Sequence, residues 1–202
     1  MKTFISLFLI STLLIPSSVF AFDPESVISD TDFNDEYAMS LNQIQLFLMK
    51  GFLGGYSTED HAGVRRSAAE IIYNAAIAGS VSPKVLLATL QKEQSLVLSV
   101  NPTQKQLDWA MGYAVCDSCS MDDPVLVRWQ GFGKQINSAA LQFSETEGYM
   151  YDIARTGTTQ GKYGPGVPVE IDDETITPAN AATAALYAYT PHFHGQELFH
   201  DL

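Results

Sequence analysis

The chain has 202 residues, a formal net charge of −12 and 46% hydrophobic residues. That acidity excludes broad electrostatic binding to nucleic acid, anionic lipid or polyanionic wall polymers. It leaves neutral or locally polar substrates, such as sugars, as the compatible class.

The first residues read as a secretory signal peptide. Lys2 supplies the positive start, Phe4 to Pro16 is almost wholly apolar, and Val19-Phe20-Ala21 places small residues for cleavage after Ala21. Removing the first 21 of 202 residues leaves 181, a length that suits one domain with a sizeable core, and losing Lys2 takes the charge to −13. No later segment has eighteen consecutive apolar residues, so no membrane span is expected after cleavage. The expected location is exported, periplasmic or extracellular in a bacterium.

Residues 22–38 read as irregular and acidic, and residues 22–66 as an N-terminal extension packed on the main domain. Ser40 caps a helix from Leu41 to Lys50, closed by Gly51. The four glycines from Gly51 through Gly63, both ends counted, predict a loop. Ser67 to Ala78 is the next helix, with Ile71, Ile72 and Ala75 inward. Ser82 and Pro83 open another, running to about Leu98. Gln104 to Met111 is helical, and Gly112 to Pro124 is a loop holding both cysteines. Val125 to Phe143 is helical in two pieces, broken near Gly131 and Gly133. Val169-Glu-Ile171 and Glu174-Thr-Ile176 flank Asp172-Asp173 as a small β-hairpin. Thr177 and Pro178 open a last helix that ends at about Tyr189, before Pro191. The reading is a single, mainly α domain with one small β-hairpin.

One residue breaks this pattern. Leu86, Leu90, Glu93 and Val97 form one helical stripe facing the core, apolar except for Glu93. Desolvation there favours a protonated carboxylate, which suits a general acid near neutral pH. On that premise, Glu93→Gln is expected to stabilise the fold at neutral pH. A Glu that pairs with a core Arg or caps a helix is the alternative.

The segment Val81-Ser-Pro-Lys-Val-Leu-Leu-Ala-Thr-Leu-Gln-Lys-Glu-Gln-Ser95 resembles the catalytic-helix motif of lysozyme-like lytic transglycosylases. Gln94 stands where that family usually has Ser. Ala185-Leu-Tyr-Ala-Tyr-Thr190 resembles the family's Ala-Tyr-Asn helix, with Tyr189 at its Tyr and Thr190 at its Asn. Met111-Gly-Tyr113 stands where the family has a Gly-Leu-Met-Gln loop. Most of the chain also resembles a group of secreted bacterial proteins of the same plan, through Met39 to Leu48, Leu90 to Leu96, Gly131 to Gln135 and Thr190 to His192.

The resemblance implies a lysozyme-like helical domain that cleaves peptidoglycan glycan strands, with Glu93 as single acid and base. It places substrate contacts at Gln94, Met111, Gly112, Tyr113, Tyr187, Tyr189 and Thr190. It implies no cofactor or metal, and a monomer. A second carboxylate would shift the reading towards a hydrolase, with Asp108 and Asp117 as candidates. Trp109 is read as core. A non-catalytic lysozyme-like module that binds glycan or a protein of the envelope is the reading from another class.

Cys116 and Cys119, in an exported chain, are read as a small-loop disulfide. A zinc site from Cys116, Cys119, His192 and His194 is the minority alternative. His61 and His200 are read as surface residues.

Overall fold

The computed structural model describes residues 22–115 and 123–200. The expected leader, the two cysteines and Asp117 therefore lie outside the described residues, and with them the expected cleavage site, the expected disulfide and half of the alternative zinc set.

Capping chemistry explains most helix starts. Helix α1 (Asp30–Phe33) begins where the Ser29 side chain accepts from Asp32 N. Helix α2 (Leu41–Leu48) and helix α3 (Ala68–Gly79) each open on a reciprocal capping box, Ser40 with Gln43 and Ser67 with Glu70. Between them lie a 3-10 turn (Phe52–Gly55) and two short strands, β1 (Ser57–Glu59) and β2 (Arg65–Ser67), paired antiparallel. Helix α4 (Pro83–Gln94) carries Glu93, and α5 (Gln104–Asp108) opens on a Thr103–Gln106 box. Then follow α6 (Pro124–Val127), α7 (Phe132–Phe143), α8 (Tyr149–Thr156), the β3–β4 hairpin (Val169–Ile171 with Glu174–Ile176), α9 (Ala181–Tyr189) and α10 (Phe193–His200). The described fold is mainly α-helical with two small two-stranded sheets.

Helix α4 runs through the centre, with Val85, Leu86 and Leu90 fully buried. Helix α3 packs along α7. Their closest approach uses Gly79, where a Cβ would lie 2.6 Å from Ala140 O. The extension is stitched to α9: Tyr187 Oη donates to Pro24 O at 3.0 Å, Val27 N to Thr183 Oγ1 at 3.1 Å and Asn180 Nδ2 to Ile28 O at 2.8 Å. Among the described residues no single helix is long and apolar enough to cross a membrane.

Several boundaries differ from those read in the sequence. The Gly51–Gly63 loop holds a 3-10 turn and most of a hairpin. Helix α4 stops at Gln94 because Ser95 turns left-handed, at φ 55°, so Val97 is buried from the following loop. Ser82 precedes α4 without a side-chain capping bond, and its buried Oγ has no partner among the described residues. Asn180, not Thr177, caps α9 by accepting from Thr183 N. Pro191 follows the end of α9 but is followed at once by α10, a helix the sequence reading missed entirely. Gly133 lies inside α7 and breaks nothing. Its missing side chain admits the backbone of Glu59 and Asp60.

Candidate active site around Glu93

Three segments far apart in sequence meet at the end of α4: Lys92-Glu93, Met111-Gly-Tyr113 and Tyr189-Thr190. Each is held there by a separate device. The left-handed turn at Ser95 leaves Glu93 as the penultimate residue of its helix. The Glu93 side chain is 22% exposed, while its neighbour Lys92 is only 4% exposed.

The two side chains converge on one hydroxyl. Lys92 Nζ donates to Thr190 Oγ1 at 2.8 Å, and Thr190 Oγ1 donates to Glu93 Oε1 at 3.0 Å. Lys92 Nζ also lies 3.3 Å from Glu93 Oε1. Glu93 Oε2 has no hydrogen-bond partner among the described residues. It lies over Gly112, where a Cβ would come within 2.7 Å of it. Gly112 has φ +65°, so both its conformation and its position favour glycine.

The Met111–Tyr113 loop is fastened by Gln135, a fully buried glutamine on α7. Its Oε1 accepts from Met111 N and Tyr113 N at 3.3 and 3.0 Å. Its Nε2 donates to Tyr113 O and Trp129 O at 3.1 and 3.0 Å. The same loop is pinned from the other side, because Tyr189 Oη donates to Met111 O at 2.7 Å. A second buried glutamine, Gln196 on α10, holds the Thr190 end. Its Nε2 donates to Thr190 O at 2.6 Å and to Leu186 O at 2.9 Å.

These surroundings shift the titrating groups. Burial pushes the Lys92 ammonium below its ordinary range, and the charge and hydrogen bond of Glu93 oppose that shift. Burial, then the charge of Glu93, raises the Tyr189 hydroxyl well above its ordinary value. Tyr189 therefore remains a hydrogen-bond donor to Met111 O across the physiological range.

The structure brings Glu93, Met111, Gly112, Tyr113, Tyr189 and Thr190 together. Tyr113 is half-buried, with its ring 5.3 Å from Trp129 in an edge-to-face contact. Gln94 is half-exposed, and its carbonyl accepts from Gln106 Nε2 at 2.9 Å. Tyr187 does not belong to the site. Its ring is fully buried and its hydroxyl anchors the extension at Pro24, so it cannot serve as a sugar-binding wall. Asp108 is tied to Gln104 and Gln130 by hydrogen bonds of 2.9 and 2.7 Å, and acts as a clamp between α5 and the start of α7. Trp109 is 5% exposed, a core residue as expected.

His192 is exposed and paired with Asp172, Nδ1 to Oδ1 at 2.8 Å. His61 and His194 are exposed. Among the described residues no group of three His, Cys, Asp or Glu side chains could hold a metal ion.

The premise of an unpaired, desolvated Glu93 is corrected. The carboxylate has a buried cation and a hydroxyl on one oxygen, and the more deeply buried member of the pair is Lys92. Sequence reasoning missed Lys92, Gln135, Gln196 and Trp129. Gln135 and Lys92 did lie within resembling stretches, Gly131 to Gln135 and Leu90 to Leu96, but neither was singled out.

Two cavities lie away from Glu93. One, of about 770 Å³, lies between the extension and the opposite face of α4, lined by Val27, Phe47, Val85, Ala88, Gln91 and Phe199 among others. The other, of about 240 Å³, lies beneath the β1–β2 turn and is lined by Asp60, Arg66 and Asn74 among others. Neither includes the Glu93 cluster.

No curated protein and no solved structure matches the chain. One family does: the LasA N-terminal domain matches residues 14–192. The match takes in every member of the Glu93 cluster and leaves out Gln196. It is consistent with an exported, LasA-like protein that works at the cell wall. With nine-tenths of its residues inside that match, the chain belongs to the LasA N-terminal domain family.

Proposed function

We propose that the chain is an exported enzyme that cleaves the glycan strands of peptidoglycan, with Glu93 as its single general acid and base. The observation that carries this reading is the two-sided environment of the Glu93 carboxylate. Oε1 is engaged by Thr190 and Lys92, while Oε2 has no partner among the described residues and lies beside Gly112 at a partly open surface. A general acid needs one oxygen within hydrogen-bond reach of the leaving group and a fixed orientation for the rest of the carboxyl.

The resemblance to lysozyme-like lytic transglycosylases supplies the chemistry. Glu93 Oε2 would protonate the glycosidic oxygen. The developing oxocarbenium ion would be stabilised by the site and by the substrate's own acetamido group. The carboxylate left behind would then take a proton from a sugar hydroxyl or from water. This departs from the paired-carboxylate scheme of most glycosidases, and it suits a cluster in which Asp108 is engaged elsewhere. Tyr113 and Trp129 would offer aromatic surface to the sugar rings.

The test is glycan cleavage of purified peptidoglycan by the wild-type chain and by Glu93→Gln. Loss of the transferable proton should lower the rate by about three orders of magnitude or more. Equal rates would remove Glu93 from the reaction.

A second reading is supported by a specific observation. Lys92 lies 3.3 Å from the carboxylate and Thr190 stands at the family's Asn, so the motif departs from the enzymes it resembles. On that reading the chain is a non-catalytic module that binds glycan or an envelope protein. Binding of glycan fragments by both wild type and Glu93→Gln, with cleavage by neither, would favour it.

A further inference from the structure

We propose that Lys92 and Thr190 are positioning residues that assign the two oxygens of Glu93 to different tasks, Oε1 to fixed acceptance and Oε2 to proton exchange with substrate. The inference rests on the glycan-cleaving reading and deepens it.

The assignment follows from donor inventories. A lysine ammonium donates and has nothing with which to accept. Its 2.8 Å bond to Thr190 Oγ1 therefore occupies that oxygen as an acceptor. The hydroxyl has a single proton, and the atom within reach to receive it is Glu93 Oε1 at 3.0 Å. Lys92 Nζ adds a second positive contact to the same oxygen at 3.3 Å. Oε1 thus faces donors only. When Glu93 carries a proton, that proton belongs on Oε2, the oxygen beside Gly112 and free of partners among the described residues.

The geometry is held from behind. Gln196 is fully buried and donates to Thr190 O at 2.6 Å. Gly195 gives Thr190 room, since a Cβ there would meet Thr190 Cγ2 at 3.0 Å. Lys92 is 4% exposed, so water does not compete for its protons. The arrangement also serves the second half of the reaction. Once Oε2 has given its proton to the glycosidic oxygen, the negative charge left on the carboxylate is met at Oε1 by an ammonium and a hydroxyl already in place.

The experiment measures kcat and KM on purified peptidoglycan fragments for wild type, Thr190→Val, Thr190→Ser and Lys92→Met, with folding of each checked by its melting curve. Thr190→Val keeps the shape and removes the relayed donor. It should lower kcat by about 10- to 100-fold with KM within about two-fold. Thr190→Ser restores the hydroxyl and should recover most of that loss. Lys92→Met should lower kcat in the same way, because the hydroxyl proton is then free to point elsewhere. If the Thr190→Val variant does not fold, the comparison of Lys92→Met with wild type decides. An active wild type whose kcat is unchanged in Thr190→Val and Lys92→Met would overturn this proposal and leave the role of Glu93 standing. A Ser variant as impaired as the Val variant would also overturn it. A wild type without cleavage would remove the parent reading and this one together.

Discussion

Two contacts between a carboxylate and a nitrogen base lie on either side of the corner between α9 and α10, only two residues apart at Thr190 and His192. On the inner side, Lys92 and Glu93 meet at 3.3 Å with side-chain exposures of 4% and 22%. On the outer side, His192 and Asp172 meet at 2.8 Å with exposures of 66% and 39%. The outer pair has the shorter contact and the smaller consequence. An exposed pair trades one hydrated state for another and contributes little. A buried ammonium has surrendered its water, so whatever remains beside it governs both its charge and the fold around it. Burial rather than distance separates the two.

The comparison predicts an asymmetry inside the inner pair. Glu93→Gln leaves the buried Lys92 ammonium without its counter-charge and should cost about 2 kcal/mol of stability, reduced from the full buried-pair range because Glu93 is partly exposed. Lys92→Met fills the same space and leaves Glu93 with Thr190 and water, so its cost should be below about 1 kcal/mol. This reverses the stabilisation expected of Glu93→Gln from the sequence, where Glu93 stood alone on an apolar stripe. Urea unfolding at pH 7 measures both variants. The pH dependence sharpens the test. Burial holds Lys92 below its unfolded value of 10.5, so between the two values the unfolded chain binds more protons and stability rises with pH. Wild type should therefore gain on Lys92→Met as pH approaches 10.5, and a constant difference from pH 7 to 10.5 would contradict a buried ammonium.

A smaller effect is expected at Gly112. Alanine there must adopt φ +65° and place its Cβ 2.7 Å from Glu93 Oε2. The backbone strain should cost about 1 kcal/mol, and the displaced carboxylate should lower cleavage about tenfold or more. A Gly112→Ala variant with full activity would mean that Oε2 does not need its place over the glycine.

The smallest effect belongs to the outer pair. The His192 hydrogen bond, then that of Phe193 N, holds the Asp172 carboxyl below its ordinary range. A depressed carboxylate contributes stability above its unfolded value near 3.8 and loses it as pH falls through the folded one. Asp172→Asn should thus melt slightly lower than wild type at pH 7 and equally at about pH 2. A loss at pH 7 as large as that of Glu93→Gln would erase the contrast between the pairs.

The sequence made some of this legible and hid the rest for physical reasons. Ser40 and Pro83 announced two helices because caps and first-turn prolines act within a single turn. The β3–β4 hairpin showed because Val169, Ile171 and Ile176 alternate with polar residues. The β1–β2 hairpin did not, since Ser57-Thr-Glu59 and Arg65-Arg-Ser67 carry no apolar alternation. The motif residues Glu93, Tyr189 and Thr190 were legible, and the structure brings them together. Tyr187 was misplaced because residues two apart on a helix point to different sides, and its side carries the extension. Lys92 was invisible for a different reason. In the last turn of a helix it reads as a solvated cation, and it is covered by Tyr189, Thr190 and the start of α10, which return over α4 from far along the chain. Gln135 and Gln196 are polar side chains in the core, satisfied by backbone groups of loops that no local pattern connects to them.

The central claim, that Oε2 of Glu93 is the working atom, is tested most directly by a structure of Glu93→Gln bound to a peptidoglycan tetrasaccharide. The account predicts a glycosidic oxygen within about 2.6–3.2 Å of the side-chain atom that replaces Oε2, beside Gly112, with Thr190 still on the other atom. A fragment seated instead in the 770 Å³ cavity on the opposite face of α4, with the Gly112 side empty, would contradict it.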